Sequence, residues 1–388
     1  MTQSRISCPA CGKEAELLLK WPFSGLDNSV FNYTAEFAAC PHCGLLHIAN
    51  INDTQLARFY REECLYSENQ HFDIHSESNI AKYRHYRSVL EREGLKDAAI
   101  ADVGCGRGGF MIWMKQHGWQ GDCTGVDVDV TSMALHDSEH GGAAFYEGSA
   151  VSLPFTDGSR SCLSYFHVVE HIRDIDRLLG EAARVLNDDG ALMIEVPDAT
   201  RYAAYPMGTA FWLAIREHVY HFTPQAFQAA LARFGFGVSQ VVQSELSTPE
   251  FDYPSLIVVA RKGRTSAVSA GLQPQADTVA DYALDARRQM TALTADVEAF
   301  ASDGGAITFW GCSSVMYSLL PLMDRQRIRL CDASPSKQRS LWQGIPILAP
   351  EAAEPEGRLV VSSFLHREAI TEAALRQGWP ETSIMVLK

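Results

Sequence analysis

Four cysteines fall in two short runs, Cys8-Pro-Ala-Cys11 and Cys40-Pro-His-Cys43, separated by 28 residues. A CxxC turn places both sulfurs on one side of a tight loop, and two such turns supply the four thiolates of a closed tetrahedral Zn²⁺ site. Gly12 and Gly44 directly follow the two turns and let the chain fold back on itself. A redox CxxC pair and an iron–sulfur cluster use the same residue type. Ligand number and spacing favour structural zinc on Cys8, Cys11, Cys40 and Cys43, with a role in folding. The other six cysteines are scattered and read as small buried hydrophobes.

Beyond residue 53 the chain is polar and helical as far as Glu93, with aromatic residues interspersed, Tyr66 among them. The period then changes. Residues 98–103 form a short apolar strand that runs into Gly104-Cys105-Gly106-Arg107-Gly108-Gly109, and Phe110 opens a helix. A second strand, Cys123–Asp127, ends on a carboxylate 23 positions after Gly104. Strand, glycine turn, helix, strand and acid form the opening unit of a doubly wound sheet. Strand and helix alternate from there to Ala260, with Thr223-Pro224 as N-cap and first residue of one helix. Lys262–Ala276 reads as a linker. After it come a long amphipathic helix from Val279 to Phe300 and a second α/β unit, with strand Ala306–Trp310, a turn at Gly311-Cys312-Ser313-Ser314, and strand Ile328–Asp332.

Length and charge narrow the function. At about 150 residues per domain, 388 residues predict two or three domains. The expected parts are a zinc-binding module at 1–60, an α/β core at 61–262 and a second Rossmann-like α/β domain at 277–388. A formal charge of −14 has the wrong sign for affinity built on phosphate neutralisation, so no nucleic-acid partner is expected. The N-terminus lacks the apolar stretch of a secretory signal, and no segment has the 18 or so apolar residues of a membrane span, which predicts a cytoplasmic protein.

The glycine turn suits either a nicotinamide dinucleotide or S-adenosylmethionine. Three neighbours favour the second. Asp102, two residues before Gly104, can hold the charged amino-acid end of the cofactor, directly or through backbone. Asp127 can accept hydrogen bonds from both ribose hydroxyls, with Val128 beside it. Glu147-Gly148-Ser149-Ala150 lies where an adenine-edge loop is expected, Cys105 sits inside the turn, and His167 is placed to contact the cofactor. Residues 80–260 thus resemble the class I S-adenosylmethionine-dependent methyltransferases.

With the four-cysteine module and the C-terminal unit, nearly the whole chain resembles the sugar C-methyltransferase family. That family methylates carbon next to a ketone in nucleotide-linked deoxysugars. The resemblance implies catalytic roles for His171 in His167-Val-Val-Glu-His171, for the Glu217-His218 pair, and for a tyrosine before the core that corresponds to Tyr66. The sequence differs from the family pattern at Ile215, where a tyrosine is usual and Tyr220 could substitute, and at Asp252-Tyr-Pro-Ser255, which replaces a glycine-rich stretch. Methylation at carbon needs a base to take the proton beside the carbonyl, and His218 or His171 oriented by Glu217 would serve. The acceptor would be a small molecule, nucleotide-linked or carrier-bound, lying between the module, the core and the third domain. Methyl transfer to oxygen or nitrogen, and a non-catalytic binding module, are the alternative readings.

Overall fold

The structure, a computed structural model, describes residues 6–64, 73–129, 141–205, 210–247, 252–266, 276–364 and 366–387. Tyr66 lies outside the described residues.

The first segment is a small β unit: β1 (Ile6–Ser7), β2 (Glu14–Pro22), β3 (Thr34–Ala39) and β4 (Leu46–Ile48), all antiparallel neighbours. The first cysteine pair lies between β1 and β2 and the second between β3 and β4, so the sheet closes the 28-residue gap and brings the two turns together. Helix α1 (Asp53–Glu62) starts on a capping box: Asn52 accepts from the Gln55 amide, and Gln55 accepts from that of Asn52. Helix α2 (Glu77–Arg92) follows.

The core then runs β5 (Ile100–Val103), α3 (Gly109–Gln116), β6 (Cys123–Asp127), β7 (Ala144–Glu147), β8 (Arg160–Phe166), α4 (Ile175–Val185) and β9 (Leu186–Pro197). It continues through α5 (Phe211–Ala214), β10 (Tyr220–His221), α6 (Pro224–Arg233), β11 (Phe236–Ser247) and β12 (Asp252–Lys262). Seven strands make one sheet in the order β11-β12-β9-β8-β5-β6-β7. It is parallel except around β12, which runs antiparallel to both neighbours. Chain order reverses at β5, and such a switch point opens a crevice at the carboxyl ends of the strands.

Strand β10 does not join this sheet. It pairs with β4, so the cysteine-bearing sheet takes its fifth strand from the core segment, across the boundary expected at residue 60. Helix α6 is tied to both cysteine turns. Its N-cap Thr223 donates from Oγ1 to the Cys43 carbonyl at 2.8 Å, and Arg233 in its last turn donates to the Pro9 carbonyl at 2.6 Å.

The last segment holds α7 (Ala276–Phe300), β13 (Ile307–Trp310), α8 (Ser314–Leu319), β14 (Ile328–Cys331), α9 (Pro335–Gln338), β15 (Leu341–Trp342), β16 (Ile345–Leu348), β17 (Arg358–Val361), α10 (Arg367–Arg376) and β18 (Ile384–Val386). Its six-stranded sheet has the order β15-β16-β14-β13-β17-β18, again switching at the first strand of the unit. It docks on the cysteine module: the Asp27 amide donates to the Leu341 carbonyl at 2.8 Å, and the Trp342 indole donates to Ser24 Oγ. Among the described residues no helix is long and apolar enough to cross a membrane.

Candidate active site

The glycine turn sits between β5 and α3 at the switch point. Gly104 has φ +74°, and a Cβ there would lie 2.4 Å from Val168 Cγ2, so only glycine fits. Gly106, at φ +53°, meets nothing within 4 Å and marks the open face of the turn. Its amide donates to Asp127 Oδ2 at 2.8 Å, and the Asp129 amide donates to Oδ1 at 3.0 Å, which fixes the carboxylate beside the turn. Burial raises the Asp127 carboxyl above its usual range. Val128 next to it is 64% exposed, an unusual apolar surface. Ser149 bridges to Ser152 across a tight turn whose Ala150 is buried, and the Gly148 amide donates to the Asp127 carbonyl. Cys105 lies against the position of Gly125, under the turn. Asp102 is buried beneath it too. Burial pushes its carboxyl up to about 7 against the hydrogen bond from Ser164 Oγ, 2.8 Å from Oδ1.

The histidines gather where β8 ends. His167 adopts φ +56° and both its ring nitrogens are engaged within the protein. Nδ1 donates to Glu170 Oε1 at 3.3 Å, while Nε2 faces the Tyr253 hydroxyl at 3.1 Å and Glu195 Oε2 at 3.5 Å. Burial alone would lower this imidazole, but the two glutamates outweigh it and raise its pKa to about 9. His167, expected to contact the cofactor, is held by a part-buried ion pair with Glu170 and Glu195.

Glu195 is the centre that the sequence reading missed. The Tyr86 hydroxyl donates to Oε2 and the Ser255 hydroxyl to Oε1. Burial would raise its carboxyl, but the hydrogen bonds from His167, Ser255 and Tyr86 hold it below its usual range. A lone acid in the apolar run Leu-Met-Ile-Glu195-Val was its signal. Tyr253 and Ser255 both come from the stretch that departs from the sugar-methyltransferase pattern.

His218 and His171 stack edge to face with ring centroids 4.8 Å apart. The carboxylate that joins them is Glu170, not Glu217: one ligand atom from each of Glu170, His171 and His218 lies within 4.8 Å of the others. Glu217 contributes its carbonyl instead, which accepts from His171 Nδ1 at 3.2 Å. Burial, reinforced by the neighbouring histidines, pushes His218 well below the usual imidazole value, so it is a poor free base. Tyr220 is corrected as well. Its hydroxyl donates to the Arg173 carbonyl and is not available to a substrate.

The four cysteine sulfurs lie within 4.8 Å of one another, with Cys8 Sγ 3.6 Å from Cys43 Sγ and Cys11 Sγ 3.5 Å from Cys40 Sγ. Zn–S bonds of about 2.3 Å in a tetrahedron separate sulfurs by about 3.8 Å, so the set fits that ion. The two turns repeat one pattern: Gly12 N–H donates to the Cys8 carbonyl and Gly44 N–H to that of Cys40, both at 2.9 Å. Contact with Cys43 lowers the Cys8 thiol to about 5, while burial raises Cys40 to about 11. Four thiolates this close repel, and full ionisation requires a cation among them.

A family described as a methyltransferase domain matches residues 66–241. The α/β core over those residues has the class I methyltransferase fold. The uncharacterized methyltransferase YcgJ of Bacillus subtilis is 24% identical over 143 residues, 36% of this chain and 51% of that protein. Ajmaline N-methyltransferase of Rauvolfia serpentina is 24% identical over 168 residues, 37% of this chain and 57% of that protein. Malonyl-[acyl-carrier protein] O-methyltransferase of Geobacter sulfurreducens is 28% identical over 248 residues, 60% of this chain and 86% of that protein. The chain thus spans about half the length of relatives such as YcgJ. A crystal structure of Burkholderia thailandensis 1,6-didemethyltoxoflavin-N1-methyltransferase is 16% identical, covering 59% of this chain and 96% of that one, at a TM-score of 0.43. The methyltransferase domain contains the glycine turn, Asp127 and the histidine cluster, whereas the four cysteines and the second α/β unit lie outside the matched residues.

Proposed function

We propose that the chain transfers a methyl group from S-adenosylmethionine to a small-molecule acceptor, at a carbon beside a carbonyl. One observation carries this reading. Val168 packs against Gly104, and the next three residues are Val169, Glu170 and His171, so the glycine turn and the histidine cluster share a wall. S-adenosylmethionine supplies an electrophilic methyl on a sulfonium. Gly104, Cys105 and Gly106 form the floor beneath it. Asp127 accepts the ribose hydroxyls on the lone pairs its backbone partners leave free, Val128 offers an apolar platform to adenine, and Ser149 and Ala150 border the ring edge. Asp102 acts through the turn on the cofactor's ammonium end. His171 Nε2 would take the acceptor's α-proton, with Glu170 and His218 beside the ring. The enolate carbon would then bond to the methyl as the S–CH₃ bond breaks, which would leave S-adenosylhomocysteine. Structural zinc on the four cysteines holds the module that carries β4, and through β10 it places His218.

The acceptor class in this proposal is a ketosugar-type or other natural-product intermediate, free, nucleotide-linked or carrier-bound, handled in the cytoplasm. Transfer to oxygen or nitrogen is the second reading, favoured by the relatives that are named for O- and N-methylation. Thermal unfolding with S-adenosylhomocysteine tests the cofactor, because a ligand at about 100 times its Kd adds about 2.7 kcal/mol of stability. No shift would remove the methyl-transfer reading. Added TDP or UDP should raise Tm further for a nucleotide-linked acceptor. Exchange of an acceptor's α-proton into D₂O, lost in His171→Gln, separates carbon from oxygen or nitrogen acceptors, which show no exchange.

A further inference from the structure

We infer that Glu170, His171 and His218 form a second metal site, one that takes a single divalent transition ion of the zinc class through two imidazole nitrogens and one carboxylate oxygen. Their ligand atoms already lie within 4.8 Å of one another. Two of those residues carry buried polar atoms without a hydrogen-bond partner, Glu170 Oε2 and His218 Nδ1, on side chains only 1% and 9% exposed. A buried acceptor left bare forfeits the hydrogen bonds it made to water. One cation satisfies both. The brace from His167 to Glu170 uses only Oε1 and leaves Oε2 unexplained.

The third ligand is prepared by its surroundings. A carbonyl can only accept, so His171 Nδ1 carries the proton it donates to Glu217, and the lone pair sits on Nε2, 3.9 Å from Glu170 Oε1. Metal-binding histidines characteristically donate their other nitrogen to such a partner, which fixes tautomer and ring orientation.

The two metal sets differ in tightness. The cysteine sulfurs stand at nearly their bound separation, whereas nitrogen and oxygen ligands at about 2.0–2.1 Å from zinc would sit about 3.4 Å apart, so the histidine set closes by roughly 1 Å on binding. Two histidines and one carboxylate leave an open position on zinc or iron(II). An acceptor oxygen would fill it, and His171 and His218 would then act as ligands in place of the free base considered above. That use rests on the function proposed above; the site itself does not.

Untagged full-length protein, loaded with Zn²⁺ and dialysed, should hold two ions per chain by mass spectrometry of its metals, falling to one in Glu170→Gln and in His218→Gln. With Co²⁺ instead, one equivalent should give the thiolate-to-metal charge-transfer band of the cysteine site. The second should add only ligand-field absorption, missing from both variants. Retention of the thiolate band and of the S-adenosylhomocysteine-induced Tm shift shows that the variants are folded. A single ion per chain in the wild type, or a second ion that persists in both variants, overturns the site. Two ions with no methyl transfer would instead sink the proposed function and leave the site standing, and one ion with transfer intact would sink only the site.

Discussion

Two regions of this molecule build the same turn and only one keeps it open. In the methyltransferase domain the Gly104 amide donates to the Val126 carbonyl at 2.7 Å, Gly106 N–H to Asp127 at 2.8 Å, and Asp129 N–H to the other carboxylate oxygen at 3.0 Å. In the C-terminal unit Gly311 N–H donates to the Cys331 carbonyl at 2.9 Å, Cys312 N–H to Asp332 at 2.7 Å, and Ser334 N–H to its other oxygen at 2.8 Å. There the likeness ends. Lys337 Nζ donates to Asp332 Oδ2 at 3.0 Å and to the Cys312 carbonyl at 2.8 Å, so a side chain of the protein itself takes up this carboxylate. The space beside Gly311 is taken by Ser363, whose Cβ would be 2.7 Å from an added methyl. Two residues before the glycine, Asp102 in one unit is matched by the fully buried Phe309 in the other. A strand–turn–helix with a closing acid is therefore a folding solution first, and it binds a cofactor only when a second glycine and free carboxylate lone pairs remain.

The widest separation between the two turns should come from glycine. Gly104→Ala combines a positive φ with the Val168 clash and should abolish the S-adenosylhomocysteine-induced Tm shift. Gly311→Ala, equally strained at φ +97°, should lower Tm yet leave the affinity for S-adenosylhomocysteine unchanged in calorimetry. The acids come next. Asp127→Asn should weaken S-adenosylhomocysteine on the order of tenfold to a hundredfold, the loss of charge-assisted hydrogen bonds worth about 1.5–3 kcal/mol. Asp332→Asn should cost only stability, by leaving the Lys337 ammonium without its counter-charge. Equal losses of affinity from both would erase the distinction between the units.

The smallest effect is one of pH. Asp102 titrates near 7 in the ligand-free fold, raised by burial above the unfolded value of 3.8, so its stability contribution falls as pH rises from about 4 to about 7. The cofactor's ammonium end favours the carboxylate. Binding therefore releases a proton below pH 7, and affinity should strengthen as pH rises through 7 and then level off. Asp102→Asn should flatten the profile, which calorimetry in buffers of different ionisation enthalpy would read directly.

Much of this architecture was legible in the chain. Cys123–Asp127 is a strand at the expected bounds, Thr223 and Pro224 cap α6 as expected, and the four cysteines meet. Local rules govern those elements: a run of apolar residues, a capping hydroxyl, a turn with two sulfurs. The misplaced partnerships are all nonlocal. Glu217 stands next to His218 in the chain, but it sits inside a turn closed by the His218 amide on the Ile215 carbonyl, and the acid that reaches the ring comes from Glu170, 48 positions earlier. Glu195 draws its donors from Tyr86 and Ser255, 109 and 60 positions away. The pairing of β10 with β4 belongs to the same class, since two residues carry no strand signal until a neighbour offers its edge. Strand β11 runs from Phe236 to Ser247, well past its apolar stretch Val238–Val242, because a polar edge strand follows its apolar partner β12 along its whole length.

Helix α6 is bolted to the cysteine turns at both ends, about 15 Å apart along its axis. A body pinned at two points keeps a single freedom, rotation about the line between them, and the β4–β10 ladder removes it. The module is accordingly a fixed wall and not a door. His218, two residues before β10, therefore takes its position from the cysteine module as well as from the core.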